Sequence, residues 1–246
     1  MSETSIRLED VHLNFPRTKA FLGSIEHSIG TFLNLRKSIN DSIPALNGVS
    51  LDIKEGEVVG VIGRNGSGKS TMLRAISGIY RPDKGRVLCK GKISLLAGLG
   101  IGFNVNLSGK ENIYLSSSIL GLSKSEVNSL LDSIIDFSGI EDFIDQPLRT
   151  YSSGMRARLG FAVVSAIKPE TLLIDEVLSV GDQEFREVSA VRIKEMVKQA
   201  RTVLIVSHNF NTLREICNRM VLLDTGKVKA IGEPEEVIEA YYKLES

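Results

Sequence analysis

Between Gly63 and Thr71 the chain reads GRNGSGKST, with glycines at 63, 66 and 68, a lysine at 69 and hydroxyl side chains at 70 and 71. Glycines at that spacing leave backbone N–H groups unobstructed, so the loop of Gly63, Arg64, Asn65, Gly66, Ser67 and Gly68 can curl around oxyanions. Lys69 can then reach the β- and γ-oxygens of a phosphate chain, the Ser70 hydroxyl can ligate Mg²⁺, and Thr71 completes the pattern. From average residue usage, a chance match in a chain this long is on the order of one per cent.

Phosphate chemistry needs more than a loop. In TLLIDEVLSVGD, Asp175 ends an apolar run, where it can hold Mg²⁺ through water, and Glu176 beside it is positioned to polarise a water for attack on a γ-phosphate. In LIVSHN, His208 ends another apolar run; ligands of open α/β sheets collect at strand C-termini, which makes it a candidate γ-phosphate contact. A third stretch, TYSSGMRARLG, sets Ser152, Ser153 and Gly154 at the start of a helical pattern, with Arg156 and Arg158 in its first turns. Serine there caps the free N–H groups. Two cations at the positive end of a helix dipole are unfavourable unless solvent screens them or an anion lies nearby.

These groups need a scaffold. EVVGVIG, TLLID and TVLIV are continuous apolar runs of the kind that are buried on both faces of a sheet. The lengths between them suit helical crossovers, which predicts a parallel sheet covered by helices. Upstream, Ile6, Leu8, Val11, Leu13 and Phe15 predict a bulged strand, and Val49, Leu51 and Ile53 a second one, both peripheral and antiparallel. A helix-rich insertion, residues 95–168, follows the first buried run. In it, Ser108 with Glu111 and Ser123 with Glu126 match capping boxes, and Val127, Leu130, Leu131, Ile134 and Ile135 trace one helical face. At the far end MVLLDTGKVKAIG reads as a hairpin and EPEEVIEAYYKL as a closing helix.

Composition excludes several classes. The 30 basic and 30 acidic residues cancel, which argues against nucleic acid as the main partner. Cys89 and Cys217 have neither metal-ligand spacing nor a disulfide framework, in keeping with a reducing compartment. No apolar run approaches 18 residues, and MSETSIRLED lacks a signal pattern, so neither a span nor a leader is expected.

The ordered series GRNGSGKST, YSSGM, LLIDE, SVGD and VSH resembles the nucleotide-binding subunit of an ATP-binding cassette (ABC) transporter over nearly the whole chain. The resemblance implies an α/β P-loop NTPase (RecA-like) fold: a parallel sheet core with an N-terminal antiparallel β subdomain and a helical insertion subdomain, together one cassette domain over 1–246. It implies ATP and Mg²⁺ as cofactors and an ATP-hydrolysing enzyme. In that family the signature is usually Leu-Ser-Gly-Gly-Gln; YSSGM stands in its place, matching at Ser152 and Gly154. That helix start would contact the γ-phosphate held by a second copy, supplying the anion that the arginines lack. Phe15 matches the aromatic that stacks on adenine, and Ser179 and Asp182 match the loop that crosses between subunits. The family's glutamine loop should fall within 95–109, where this chain has no glutamine; Gly98, Gly100 and Gly102 suggest a flexible substitute.

Within the family, YSSGM, GLGIGF followed by LSGKENIYL, and IDEVLSVGDQEF look like exporters of lipid-linked cell-surface polysaccharide: O-antigen, capsule or teichoic acid. Such exporters often carry extra sequence where residues 16–43 lie. Here Leu22, Ile25, Ile29, Phe32 and Leu33 fall on one face of an expected amphipathic helix facing the partner, the lipid head groups or its own domain. With the sequence ending at Ser246, the carbohydrate-binding domain that some relatives append is not expected. The resemblance thus implies transmembrane permease subunits, a second copy of the chain and the membrane surface as partners, with the chain peripheral on the cytoplasmic face of the inner membrane. Two other readings stand beside it: a soluble, non-transport cassette ATPase, and a P-loop kinase, in which YSSGM and VSH would be idle.

Overall fold

The computed structural model describes residues 3–16, 42–96, 99–175 and 182–245. The expected helix in 16–43 lies outside these, except for its two ends. Those ends belong to strands: β1 (Thr4–Pro16) and β2 (Ser42–Lys54) pair antiparallel along their length, with Phe15 opposite Ile43. The register shifts between Leu8 and Val11, the bulge that the interrupted alternation predicts. A third strand, β4 (Lys84–Cys89), pairs with the other edge of β1 to give the order β2-β1-β4.

The main sheet contains β3 (Val58–Ile62), β5 (Ile93–Leu96), β6 (Thr171–Ile174), β7 (Thr202–Val206), β8 (Arg219–Asp224) and β9 (Lys227–Gly232) in the order β5-β6-β7-β3-β8-β9. All pairings are parallel except the β8–β9 hairpin. The apolar runs are continuous because both faces are covered. Leu204, Val206, Val221 and Leu223 face the antiparallel sheet and α1 (Lys69–Ile76). Val203, Ile205, Met220 and Leu222 face the opposite layer, made by α5 (Gln183–Gln199), α6 (Phe210–Ile216) and α7 (Pro234–Glu245).

The helical insertion contains α2 (Gly109–Ile119), α3 (Lys124–Ser138) and α4 (Ser153–Ser165) around a core of Ile113, Val127, Ile134, Leu148, Tyr151 and Leu159. Both expected capping boxes form: Ser108 and Ser123 accept the Glu111 and Glu126 N–H groups, and each glutamate returns to its serine. The first box ends the loop where the family's glutamine would lie, and that loop is pinned from below. Asn112, 0% exposed, accepts the Asn104 N–H at 2.7 Å and donates to the carbonyls of Asn104, Leu107 and Ser108 at 3.0, 3.1 and 2.8 Å. Gly98 lies outside the described residues, whereas Gly100 and Gly102 both hold positive φ in the turns that lead into this pinned segment.

Truncating Asn112 removes four hydrogen bonds: the Asn104 N–H loses its side-chain acceptor, and the carbonyls of Asn104, Leu107 and Ser108 each keep only the backbone N–H of Leu107, Leu148 and Asn112. Asn112→Ala should lower stability to urea unfolding by about 2–4 kcal/mol, as loss of a buried hydrogen-bond network does. A loss below about 0.5 kcal/mol would show that water replaces the side chain and that the loop does not depend on it.

A candidate nucleotide site in two separate halves

β3 ends at Ile62 and α1 begins at Lys69, so the loop between them must reverse within six residues. Two glycines there are forced by their neighbours. Gly63 has φ 151°, and a Cβ on it would stand 2.0 Å from the Leu223 carbonyl oxygen; Gly68 has φ 105°, and its Cβ would meet the Ala45 oxygen at 2.4 Å. The loop is clasped from both sides, since the Gly226 N–H donates to Ser67 O at 2.9 Å and the Asn47 N–H donates to Gly226 O at 2.8 Å. α1 starts without a side-chain cap, leaving first-turn N–H groups for an oxyanion.

Lys69 is buried, and its Nζ donates to the carbonyls of Gly63 and Arg64 at 2.7 and 3.0 Å, arching over the loop. Ser70 Oγ donates to Asp175 Oδ1 at 3.0 Å, bringing together a hydroxyl and a carboxylate that lie 105 residues apart. Ser67 Oγ is buried and finds no hydrogen-bond partner among the described residues. An uncapped helix start, a glycine cradle and an orphaned hydroxyl fit a phosphate chain, and the oxygen pair Ser70–Asp175 fits Mg²⁺, a hard cation. Phe15 lines the same cleft of about 350 Å³ as Asn65, Gly66, Ser67 and Thr71. Its ring is half-buried and held edge-on by Tyr80, with centroids 5.4 Å apart.

The YSSGM helix start lies on a different cleft, of about 340 Å³, which shares no lining residue with the first. Ser152 caps α4 by accepting the Met155 N–H at 3.1 Å. Both arginines are accounted for within the chain. Arg156 donates to the Tyr151 carbonyl at 3.2 Å, while Arg158 pairs with Asp182, lies 5.1 Å over the Phe185 ring and abuts Gly139 at the end of α3. Asp182 also caps α5, accepting the Phe185 N–H at 3.0 Å. That N–H first, and then Arg158, hold its carboxyl below the ordinary 3.8. Gly154 is different: a Cβ there would meet only Ser152 Oγ, at 3.7 Å. Among the described residues the packing gives no reason for a residue that costs a helix up to about 1 kcal/mol relative to alanine.

Comparison with known proteins settles what such a pair of clefts belongs to. Residues 46–179 match the family described as ABC transporter. The chain belongs to the ABC transporter family. Among ABC relatives, it is 44% identical over 197 residues to the O-antigen export system ATP-binding protein RfbB of Klebsiella pneumoniae, covering 80% of each. It is 47% identical over 200 residues to the teichoic acids export ATP-binding protein TagH of Lactococcus lactis, covering 81% of this chain but 43% of that one. The dimeric post-hydrolysis structure of the ATP-binding cassette MJ0796, bound to ADP and Pi, shares the fold with a TM-score of 0.69 at 23% identity, over 93% of this chain and 98% of that one. The enzyme class is that of the ABC ATPases.

In this ABC subunit the sequence-derived candidates divide plainly. Asn65 to Thr71 and Phe15 line the first cleft, with Gly63 and Arg64 in the same loop and Asp175 joined to it through Ser70, and Ser152, Gly154 and Asp182 line the second, with Ser153 opening α4 between Ser152 and Gly154. His208 is exposed in the turn after β7, at the same C-terminal edge of the sheet as Asp175. Glu176 and Ser179 lie outside the described residues. Tyr80 and Phe185 were not singled out from the sequence. Tyr80 packs on Phe15 and Phe185 lies under Arg158, each from a distant part of the sequence, so no local pattern marks these ring contacts. Among the described residues no helix is long and apolar enough to cross a membrane.

Because the Asp182 carboxyl titrates below its ordinary value, its stabilising contribution is complete at neutral pH and disappears as pH falls through the lowered folded-state value. Asp182→Asn should therefore lose stability at pH 7 and show a shallower decline than the parent on acidification below about pH 4. Identical acid profiles for the two proteins would mean that neither the Phe185 N–H nor Arg158 makes the ionised carboxyl a source of stability.

Proposed function

We propose that this chain is the ATP-hydrolysing subunit of an exporter of lipid-linked cell-surface polysaccharide, O-antigen-like in class. It works as a pair of copies bound to transmembrane permease subunits at the cytoplasmic face of the membrane. The observation that carries the ATPase half is the presence in one chain of a phosphate-loop cleft and a separate helix start, capped by Ser152, at which Gly154 stands open among the described residues. The export half is supported by the likeness to RfbB and TagH and by the motifs YSSGM, GLGIGF and IDEVLSVGDQEF. The names of those two relatives, O-antigen export and teichoic acids export, both fall within the cell-surface polysaccharide class assigned here.

In this reading, Phe15 stacks on adenine, and the N–H groups of residues 63–68, with Lys69 and Ser67, hold the β- and γ-phosphates. Ser70 and Asp175 hold Mg²⁺, which when bound offsets charge on the phosphate oxygens. Glu176 takes the proton of the attacking water as its oxygen bonds to the γ-phosphorus and the bond to the bridging oxygen breaks, leaving ADP and phosphate. His208 steadies the γ-phosphate oxygens. Ser152, Ser153 and Gly154 of the second copy close over that phosphate, and the Arg158–Asp182 pair fixes the angle at which they are presented. Both arginines being engaged within their own chain, the phosphate's partners at the signature are the N–H groups and hydroxyls.

Lys69→Ala should reduce turnover at least 100-fold through loss of a charge-assisted contact to the transferring group. Unchanged ATPase activity would remove Lys69 from the site. For the export half, the full chain expressed with its neighbouring genes should copurify in detergent with a polytopic membrane protein. Elution alone, with full ATPase activity and no membrane partner, would favour a soluble cassette ATPase instead.

A further inference from the structure

His208 lies in a three-residue turn, Ser207 to Asn209, strung between a fixed end and a dependent one. The fixed end is β7, held inside the parallel sheet by ladders to β6 and β3. The dependent end is α6, seven residues long with Leu213 its only buried residue. A helix under about 12 residues is marginal by itself in water, so packing decides where α6 begins. Its first residue, Phe210, meets Tyr241 and Tyr242 of α7 edge-on, with centroids 5.3 and 5.9 Å away and interplanar angles of 75° and 86°. The two tyrosine rings stand 5.8 Å from each other, closing a triangle. Arg214, one turn on, pairs with Glu235 at 3.3 Å. α7 is in turn seated on the sheet by Val237 and Ile238.

The turn passes this placement on to the histidine. Ser207 Oγ accepts the Asn209 N–H at 3.0 Å, and Asn209 Oδ1 accepts the Thr212 N–H at 3.1 Å, so the turn and the first turn of α6 form one hydrogen-bonded unit. Moving the start of α6 moves the backbone that carries His208. The Tyr241 phenol, held above its usual pKa chiefly by its hydrogen bond to Glu245, also feels the positive field of Arg64.

We propose that Phe210, seated on Tyr241 and Tyr242, is a positioning residue for ATP hydrolysis: it fixes the start of α6 and thereby holds His208 at the γ-phosphate. The proposal rests on the reading of His208 as a γ-phosphate contact. A group displaced by about 1 Å from a reacting centre can cost on the order of 100-fold in rate, while an aromatic pair is a modest contributor to stability. Removing the ring should therefore be read in the rate rather than in folding.

The test is a cycle of four full-length proteins, the parent, His208→Ala, Phe210→Ala and the double variant, followed by single-turnover ATP hydrolysis with protein in excess so that slow rates can be read. Phe210→Ala should lower the rate about tenfold with KM for ATP within about twofold. Phe210→Tyr, which keeps the ring, should recover most of the rate, and the double variant should be no slower than His208→Ala. Tyr242→Ala, at a position 55% exposed, should lose rate in the same direction by less. It decides the matter if Phe210→Ala does not fold. Multiplying losses in the double variant would overturn the proposal, as would a rise in KM alone or parental rates in Phe210→Ala and Tyr242→Ala. A parental rate in His208→Ala would instead overturn the reading of the histidine itself.

Discussion

The constraint on which this structure depends is the clasp around the phosphate loop. Backbone N–H groups can converge on phosphate only if the chain reverses through conformations that side chains resist, and a loop of that kind does not hold itself. Here it is held by contact too close to admit a methyl group: the Leu223 oxygen at the end of β8 against Gly63, and the Ala45 oxygen of β2 against Gly68. β8 belongs to the parallel sheet and β2 to the antiparallel one, so the loop is the point where the two sheets meet. The turn at Gly226, bonded to both Ser67 and Asn47, fastens the third side. The antiparallel sheet therefore does two things at once. Its backbone at Ala45 shapes the loop, and the neighbouring end of its hairpin delivers Phe15 to the same cleft.

The second half of the site is tied to the core by different means. Phe137 of α3, Phe161 of α4 and Phe185 of α5 form a cluster with centroids 5.8–6.0 Å apart, joining the helical insertion to the layer behind the sheet. Gly160 lets α4 lie against the loop at Leu99 and Gly100, where a Cβ would stand 2.6 Å from the Gly100 nitrogen. Arg158 adds charge to that apolar joint through Asp182. A rotation of α4 thus cannot occur without pressing on the 99–102 turns and on the start of α5, the segment that follows Asp175 and Glu176.

Much of this was legible in the sequence, for reasons that differ by residue. The capping boxes at Ser108 and Ser123 are interactions between residues three apart, so the pattern and the geometry are one fact. The buried strands were legible because two covered faces demand unbroken apolar runs. β4 was not anticipated: an edge strand with Lys84 and Arg86 exposed carries no alternation to read. β5 is four residues long, too short for periodicity. The arginines of TYSSGMRARLG were expected to share a partner subunit's phosphate. Instead Tyr151 and Asp182 satisfy them within the chain, a pairing across 24 residues that no local pattern announces. Gly154 gained meaning only when its surroundings proved open.

That open glycine leads to the central claim, that each ATP site is completed by the signature helix of a second copy. Asn65 and Ser153 are both exposed, one in each half. Two separately tagged chains, both carrying Glu176→Gln to retain ATP, would bear Asn65→Cys on one and Ser153→Cys on the other. Burial pushes the native thiols of Cys89 and Cys217 up to about 11 and about 12, which keeps them slow to react at neutral pH. The account predicts an ATP-dependent crosslink joining the two tags. Efficient ATP binding with no crosslink between the tags, alongside a crosslink within one chain that carries both cysteines, would contradict it.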